Sequence, residues 1–345
     1  MREPFGIALI GCGMGAKPHA LALRGLSASG LVSVRGVHAR SADARAAFAA
    51  TYGFPEAASV EALAADPSVH AALIVTPPNA RAGIVATFAK AGKHILSEKP
   101  LERSVDAARG IVETCEAAGV TLGVVFQHRF RKASQALAAR LAEGAFGAIH
   151  LVGVQVPWWR EQAYYDAPGR GTYARDGGGV LISQAIHTLD LMLSLAGPVT
   201  QVQALCATTP AHRMEAEDFA AAGLRFASGA VGYLAATTAS YPGDAESIRL
   251  DCARASVVLK SGLLDIHWRD GRHEQVGEPA ATGGGSDPMA FPSDWHRDLI
   301  TDFAASVQAG LAPRVTGRQA LAVHRLIAAI ETSSAEGRQY PVTQD

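Results

Sequence analysis

The sequence reads as α/β: a doubly wound N-terminal domain on a parallel sheet, residues 1–122, then an α+β domain, residues 123–345, with a largely antiparallel open sheet. Two observations carry this reading. Up to about residue 125, short runs that are apolar throughout alternate with helix-like segments closed by glycine, the pattern of a parallel sheet covered on both faces. From Thr200 to Trp268, strand-like runs follow one another at hairpin spacing, divided by pairs such as Ser228-Gly229 and Ser261-Gly262.

The elements follow in order. Gly6–Ile10 is a buried strand ending at Gly11, and a helix runs on through Leu26. Leu31–Val37 is the second strand and Ala42–Tyr52 an alanine-rich helix stopped by Gly53. Strand Ala71–Val75, helix Asn79–Ala91, strand His94–Ser97, helix Val105–Ala118 and strand Thr121–Val125 complete the first domain's pattern. Helix Ala133–Glu143 and strand Ile149–Val156 open the second, followed by an irregular aromatic stretch and a helix from about Val180 to Ala196. Strands are expected at Val202–Ala207, Asp218–Phe226, Ala230–Thr238, Ser247–Cys252, Ser256–Lys260 and Leu264–Trp268. Two helices, about Asp294–Gln308 and Gly317–Glu336, close the chain.

Composition narrows the function classes. With 48% hydrophobic and 18% charged residues, the 345-residue chain buries a large core without difficulty, and its length fits two domains. A formal net charge of −1 offers no electrostatic case for nucleic acid or anionic membrane as partner. Cys12, Cys115, Cys206 and Cys252 are scattered, without disulfide-framework or metal-type spacing, so free thiols, a reducing cytoplasmic location and no metal are expected. No run is long enough to span a bilayer, and the apolar start is too short for a signal peptide.

The glycines after the first strand carry the first chemistry. In Gly11-Cys12-Gly13-Met14-Gly15-Ala16, Gly11 permits a tight turn, Gly13 lets a pyrophosphate approach the backbone, and Ala16 stands where Gly or Ala is tolerated. The helix that follows presents free N–H groups and a partial positive charge to phosphate, so a Rossmann dinucleotide site is expected. At the second strand's end, Val37-His38-Ala39-Arg40-Ser41 supplies no carboxylate to hold a ribose diol. Arg40 and Ser41 instead suit a 2′-phosphate, so NADP is expected ahead of NAD; a solvated arginine and a helix-capping serine are the plain alternative.

Glu98-Lys99-Pro100 at a strand end makes the reading specific. With Gly11–Ala16, His19, Thr76-Pro77-Pro78-Asn79, Gly177-Gly178-Gly179, His187, Asp190 and Thr316–Leu321, it resembles the glucose–fructose oxidoreductase / inositol dehydrogenase / MocA family over essentially the whole chain. The resemblance implies hydride transfer between nicotinamide and a secondary alcohol or ketone of a sugar, cyclitol or dihydrodiol. It implies that Lys99 and His187 are catalytic and that Thr76, Pro77, Asn79 and Glu98 line the cofactor path. The family commonly has Asp or Asn four residues before its histidine, where this chain has Ser183, which can hydrogen-bond a hydroxyl but supplies no charge.

These residue types suit the reaction. Hydride loss from an alcohol carbon requires the hydroxyl proton to leave, and an ammonium beside the oxygen stabilises the developing alkoxide. Lys99 is read as holding that oxygen and His187 as exchanging the proton, with Asp190 one turn on either orienting the ring or bonding backbone. Among the aromatics and arginines of 157–173, Arg170 is the expected substrate contact, joined by Arg129 and Ser183. A cofactor-retaining glycosidase of the same fold and a nucleotide-sensing regulator are the alternative readings. Runs of small apolar residues, Ala220–Ala222 and Leu234–Ala236, predict an exposed sheet face and a homodimer or homotetramer.

Overall fold

The computed structural model describes residues 3–280, 283–285 and 292–344. In chain order the elements begin β1 (Phe5–Ile10), α1 (Ala16–Ala28), β2 (Val32–His38), α2 (Ala42–Tyr52), α3 (Val60–Ala65), β3 (Ala71–Ile74), α4 (Arg81–Lys90), β4 (His94–Ser97), α5 (Val105–Ala117) and β5 (Leu122–Val124). Next come α6 (Lys132–Ala142), β6 (Ile149–Pro157), α7 (Gln162–Tyr165), a π-helical segment (Leu181–Ala185) and α8 (Ile186–Ala196). Strands β7 (Val199–Ala207), β8 (Phe219–Phe226), β9 (Val231–Thr237), β10 (Ser247–Cys252), β11 (Ala255–Lys260), β12 (Leu263–Trp268) and β13 (His273–Gly277) follow. Helices α9 (Asp294–Ala309) and α10 (Gly317–Glu336) precede the short β14 (Tyr340–Pro341).

Packing divides the chain into two compact units, residues 1–127 with 293–321 and residues 128–292 with 322–345, the division falling within α10. Residues 293–321, placed by the sequence reading in the second domain, thus belong to the first unit, and that unit runs to Gln127.

The first unit is a five-stranded parallel sheet in the order β2-β1-β3-β4-β5. β1, β3 and β5 are buried at every residue, which is why they appear as unbroken apolar runs. Helix starts follow local chemistry: Ser41, Ser59 and Ser104 accept hydrogen bonds from Ala44, Ala62 and Ala107 at the starts of α2, α3 and α5. The C-terminal ends of the strands lie side by side, with Ile10 paired in register with His38 and Ile74, Ile74 with Ser97, and Ser97 with Val124. Everything the sheet offers a ligand therefore leaves from one edge. Helix α9 closes the unit: Phe303 meets Phe5 edge-on at 6.4 Å, and its ring sits where a side chain on Gly123 would lie.

The second unit is a nine-stranded sheet ordered β13-β12-β11-β10-β6-β9-β8-β7-β14, antiparallel except for the β6–β9 pair. Its middle strands alternate buried and more exposed residues, one face carrying the core. The helix expected from Val180 to Ala196 is not uniform: Leu181–Ala185 forms a π turn before α8. The start of that turn is held by Glu217, whose carboxylate accepts from the backbone N–H groups of Gly179 and Leu181, both at 3.0 Å, and whose carbonyl accepts from Val180 at 2.8 Å. A Cβ on Gly179 would stand 1.7 Å from the Glu217 carbonyl oxygen, so only glycine fits. Burial pushes the Glu217 carboxyl up against the pull of these backbone donors. Neighbouring Glu331 is pushed to about 8 by burial and by Glu217.

Candidate functional site

In the first unit the turn after β1 has the geometry a dinucleotide needs. Gly11 adopts φ +106°, and a Cβ there would lie 2.9 Å from the Val75 carbonyl carbon, so the backbones after β1 and β3 approach as only glycine allows. Around Gly13 there is open space, with nothing within 4 Å of where a side chain would begin. Gly15 forms the N-cap of α1 without a side-chain cap, Ala16 is buried in its first turn, and Met14 is exposed. The free helix donors expected from the sequence are not seen: the Ala16 and Lys17 N–H groups turn back to the Gly13 and Met14 carbonyls at 2.9 and 3.4 Å and Pro18 has none, so a phosphate would meet the open backbone at Gly13 instead. These features fit the pyrophosphate of a nicotinamide dinucleotide.

The end of β2 is more open. The His38 ring contacts the Ala57 carbonyl oxygen at 3.2 Å, Arg40 is exposed, and Ser41 caps α2 by accepting from Ala44 at 3.2 Å. Beyond β3, Pro77 and Asn79 are exposed, while Thr76 lies lower in the loop with its hydroxyl oxygen buried.

Glu98 and Lys99 leave the end of β4. One Glu98 carboxylate oxygen meets His19 Nε2 at 2.7 Å and the other accepts the Lys99 backbone N–H at 2.9 Å. Burial pushes the Glu98 carboxyl upward, but the His19 hydrogen bond and the charges of His19, Lys99 and His296 outweigh it and hold the group at about 2. His296, on α9, packs edge-on against His19 at 4.7 Å, and burial with the His19 charge depresses it to about 3. The peptide from Lys99 to Pro100 is cis.

Arg81 holds this edge together. It is 3% exposed, donates from Nε and Nη2 to the Thr76 carbonyl at 2.9 and 2.7 Å, and donates from Nη1 to the Glu98 and Pro100 carbonyls. Burial lowers its pKa to about 10 against the charges of Glu98 and Glu102. Sequence reasoning overlooked Arg81, because a buried arginine at a helix start looks like a solvated one.

In the second unit, His187 is buried in the first turn of α8 and stacks on His128 with ring centroids 4.9 Å apart. Arg131 donates to His128 Nε2 at 2.6 Å and to Glu246 at 2.6 Å, and Trp158 Nε1 donates to the other Glu246 oxygen at 3.3 Å. Because a guanidinium only donates, the imidazole nitrogen facing it must accept, which places the neutral ring's proton on Nδ1. Among the described residues the hydrogen-bond partner of Asp190 is neither the His187 ring nor a backbone group but Arg129, in a two-pronged ion pair at 2.6 and 2.7 Å, both groups buried or nearly so. Burial pushes Asp190 up while Arg129 pulls it down. Arg170 lies over the Tyr164 ring at 4.2 Å and donates to its hydroxyl, and Ser183 sits in the π turn before His187. Glu217, Asp190 and Glu246 each hold a partner distant in sequence, which no local motif discloses.

Residues 5–126 match the family described as "Oxidoreductase family, NAD-binding Rossmann fold", and residues 134–258 match "GFO/IDH/MocA C-terminal domain". The chain belongs to the GFO/IDH/MocA family of oxidoreductases. Among curated relatives, D-apiose dehydrogenase of Paraburkholderia graminis is 28% identical over 97% of this chain and 88% of its own length. D-xylose 1-dehydrogenase (NADP(+)) 2 of Haloferax volcanii is 30% identical over 86% of this chain and 88% of its own. Among solved structures, the WlbA dehydrogenase of Bordetella pertussis in complex with NADH and UDP-GlcNAcA is 29% identical, covers 99% of this chain and all of its own, and has a TM-score of 0.83. As a GFO/IDH/MocA oxidoreductase, the protein has no helix among its described residues long and apolar enough to cross a membrane.

Proposed function

We propose that the protein is a nicotinamide-dependent dehydrogenase that exchanges hydride with a secondary alcohol or ketone of a sugar, cyclitol or dihydrodiol. The observation that carries this reading is the placement of Lys99 directly beyond β4, on the sheet edge that also bears the Gly11 turn and the Thr76 loop. Family relatives named as D-apiose, levoglucosan and inositol dehydrogenases support the polyol class. The first unit binds the dinucleotide and the second the substrate.

When bound, nicotinamide supplies the hydride acceptor or donor. Lys99 binds the substrate oxygen and stabilises the charge that grows as its proton leaves. Glu98, kept anionic by His19, fixes the backbone of Lys99 through the N–H it accepts. His187 exchanges the hydroxyl proton, and Ser183 and Arg170 hold neighbouring hydroxyls. Arg129 supports the substrate region through its pair with Asp190.

NADP is proposed as the preferred cofactor, from the exposed Arg40, the hydroxyl of Ser41 and the lack of an acid in 38–41; the NADP(+)-named xylose dehydrogenase agrees with it. The solved relatives with NADH keep NAD as the competing choice. Four free cysteines fit a reducing cytoplasm. The exposed Leu205, Val231 and Tyr233 support pairing of copies through the sheet of the second unit.

The test is hydride transfer over a panel of sugars, cyclitols and dihydrodiols with either nucleotide. Lys99→Met and His187→Asn should each lower kcat by about 10²–10⁴ while nucleotide affinity is kept. Arg40→Ala should weaken NADP+ roughly tenfold and leave NAD+ unchanged. Stoichiometric nucleotide binding without turnover on any panel member would point to a sensor. Aglycone release with no free NADPH would point to a glycosidase.

A further inference from the structure

The sequence offers no metal-type spacing, but the fold brings donors together that are separated along the chain. On the terminal hairpin of the nine-stranded sheet, β12 pairs with β13 so that His267 stands opposite His273 and Asp265 opposite Gln275. With side-chain period two, Asp265 and His267 share one face, and the cross-strand pairing puts His273 on it as well. The two imidazoles stack with centroids 4.4 Å apart and planes at 15°. Both turn Nε2 to the same carboxylate, His267 at 3.2 Å from one oxygen and His273 hydrogen-bonded to the other. All three donor atoms lie within 4.8 Å of one another.

We propose that Asp265, His267 and His273 form a surface site for a divalent transition metal of the Zn2+ class. Two imidazole nitrogens and one carboxylate oxygen are the donors that Zn2+, Co2+, Ni2+ and Cu2+ take, whereas Mg2+ and Ca2+ take oxygen alone. Zinc bonds of about 2.0–2.1 Å at tetrahedral angles place neighbouring donors roughly 3.3 Å apart. His267 and Asp265 already meet that spacing at 3.2 Å, and His273 need only exchange its hydrogen bond for the metal. No lysine or arginine pairs with Asp265 among the described residues; its partners are the two histidines and Gln275, so its charge is left for a bound cation. The histidine side chains are 59% and 49% exposed, so a metal reaches the site freely and keeps water in its remaining positions. The neighbouring Arg272 is engaged with Asp270 and Glu274 and does not compete for the carboxylate.

The site is independent of the proposed reaction and is tested without it. Metal-stripped, tag-free full-length protein is titrated calorimetrically with ZnCl2 at pH 7.5, alongside the His267→Asn/His273→Asn double variant. Subtracting the two isotherms cancels zinc taken by the cysteines or by the His19, Glu98 and His296 donors, which also lie within 4.8 Å of one another. The expected result is one equivalent of zinc lost in the variant, or bound at least tenfold more weakly, with its thermal unfolding unchanged. Lowering the pH to 5.5 should weaken the wild-type equivalent, since protons compete for imidazole, and MgCl2 should give no matching heat. Identical zinc stoichiometry and affinity in wild type and variant, or no zinc uptake by the wild type, overturns the proposal.

Discussion

Replacing Arg81 by Met keeps most of its aliphatic volume and removes every donor. The carbonyl oxygens of Thr76, Glu98 and Pro100, buried or partly so, then lose the guanidinium donors, although the Glu98 carbonyl keeps the Ser97 hydroxyl at 3.1 Å. Each orphaned acceptor costs about 1–3 kcal/mol, and relief of the guanidinium's own desolvation returns part of the sum, so a net loss of about 2–4 kcal/mol is expected. At roughly 2–4 °C per kcal/mol for a unit of this size, the midpoint of thermal unfolding should fall by between about 4 and 16 °C. The loops it ties carry Thr76 and Lys99, and a displacement of about 1 Å at a reacting group can cost on the order of 10² in rate. Arg81→Met should therefore lower kcat more than it raises KM, as measured by steady-state turnover below the shifted midpoint. Arg81→Lys should fall between, since one ammonium cannot serve three carbonyls in fork geometry. An Arg81→Met protein that unfolds within about 1 °C of wild type and turns over normally would refute the clamp.

Other perturbations test the second unit. Glu331 ionises at about 8 when folded against 4.5 when free, so below pH 4.5 both states hold its proton and it has no effect. Between those values only the unfolded chain releases the proton and stability falls with rising pH; Glu331→Gln should flatten this slope and raise the unfolding midpoint measured at pH 8. Gly179→Ala should destabilise by at least about 3 kcal/mol or prevent soluble expression, because the new methyl meets the Glu217 carbonyl at 1.7 Å, whereas Gly223→Ala, with nothing within 4 Å, should cost under about 1 kcal/mol in denaturant titration. Arg129→Met alone should cost about 3–5 kcal/mol by stranding the buried Asp190, and the added Asp190→Leu should recover much of it; additive losses would show that the pair is not coupled.

What the sequence disclosed follows from where the determinants lie along the chain. β1, β3 and the cap at Ser41 are local: apolar runs and a hydroxyl just before an alanine-rich segment are enough. Helix α3 escaped because its six residues are too few for a period to show. Strand β13 escaped because its five residues, three polar ones followed by Val276 and Gly277, carry no apolar alternation at a sheet edge. The π turn was invisible for a different reason: it is imposed by Glu217, which lies far along the chain and closes on Gly179 and Leu181. The cofactor turn was legible because glycines must stand at fixed offsets. Arg81, the Arg129–Asp190 pair and the hairpin histidines were not, because each depends on contacts that only folding creates.

Helix α9 has a consequence for how the protein is made. The sheet of the first unit is finished once β5 emerges from the ribosome, yet Phe5, His19 and Gly123 wait for Phe303 and His296, encoded roughly 180 codons later. At about 5–20 residues per second, that is an interval of roughly 10–40 s in which the nascent sheet has an uncovered apolar flank. The second unit must be largely synthesised before the first can be completed, so the order of translation and the order of completion are reversed. Ribosome-bound chains stopped after β5 should therefore be more protease-sensitive and more readily held by chaperones than chains that extend past Ala309.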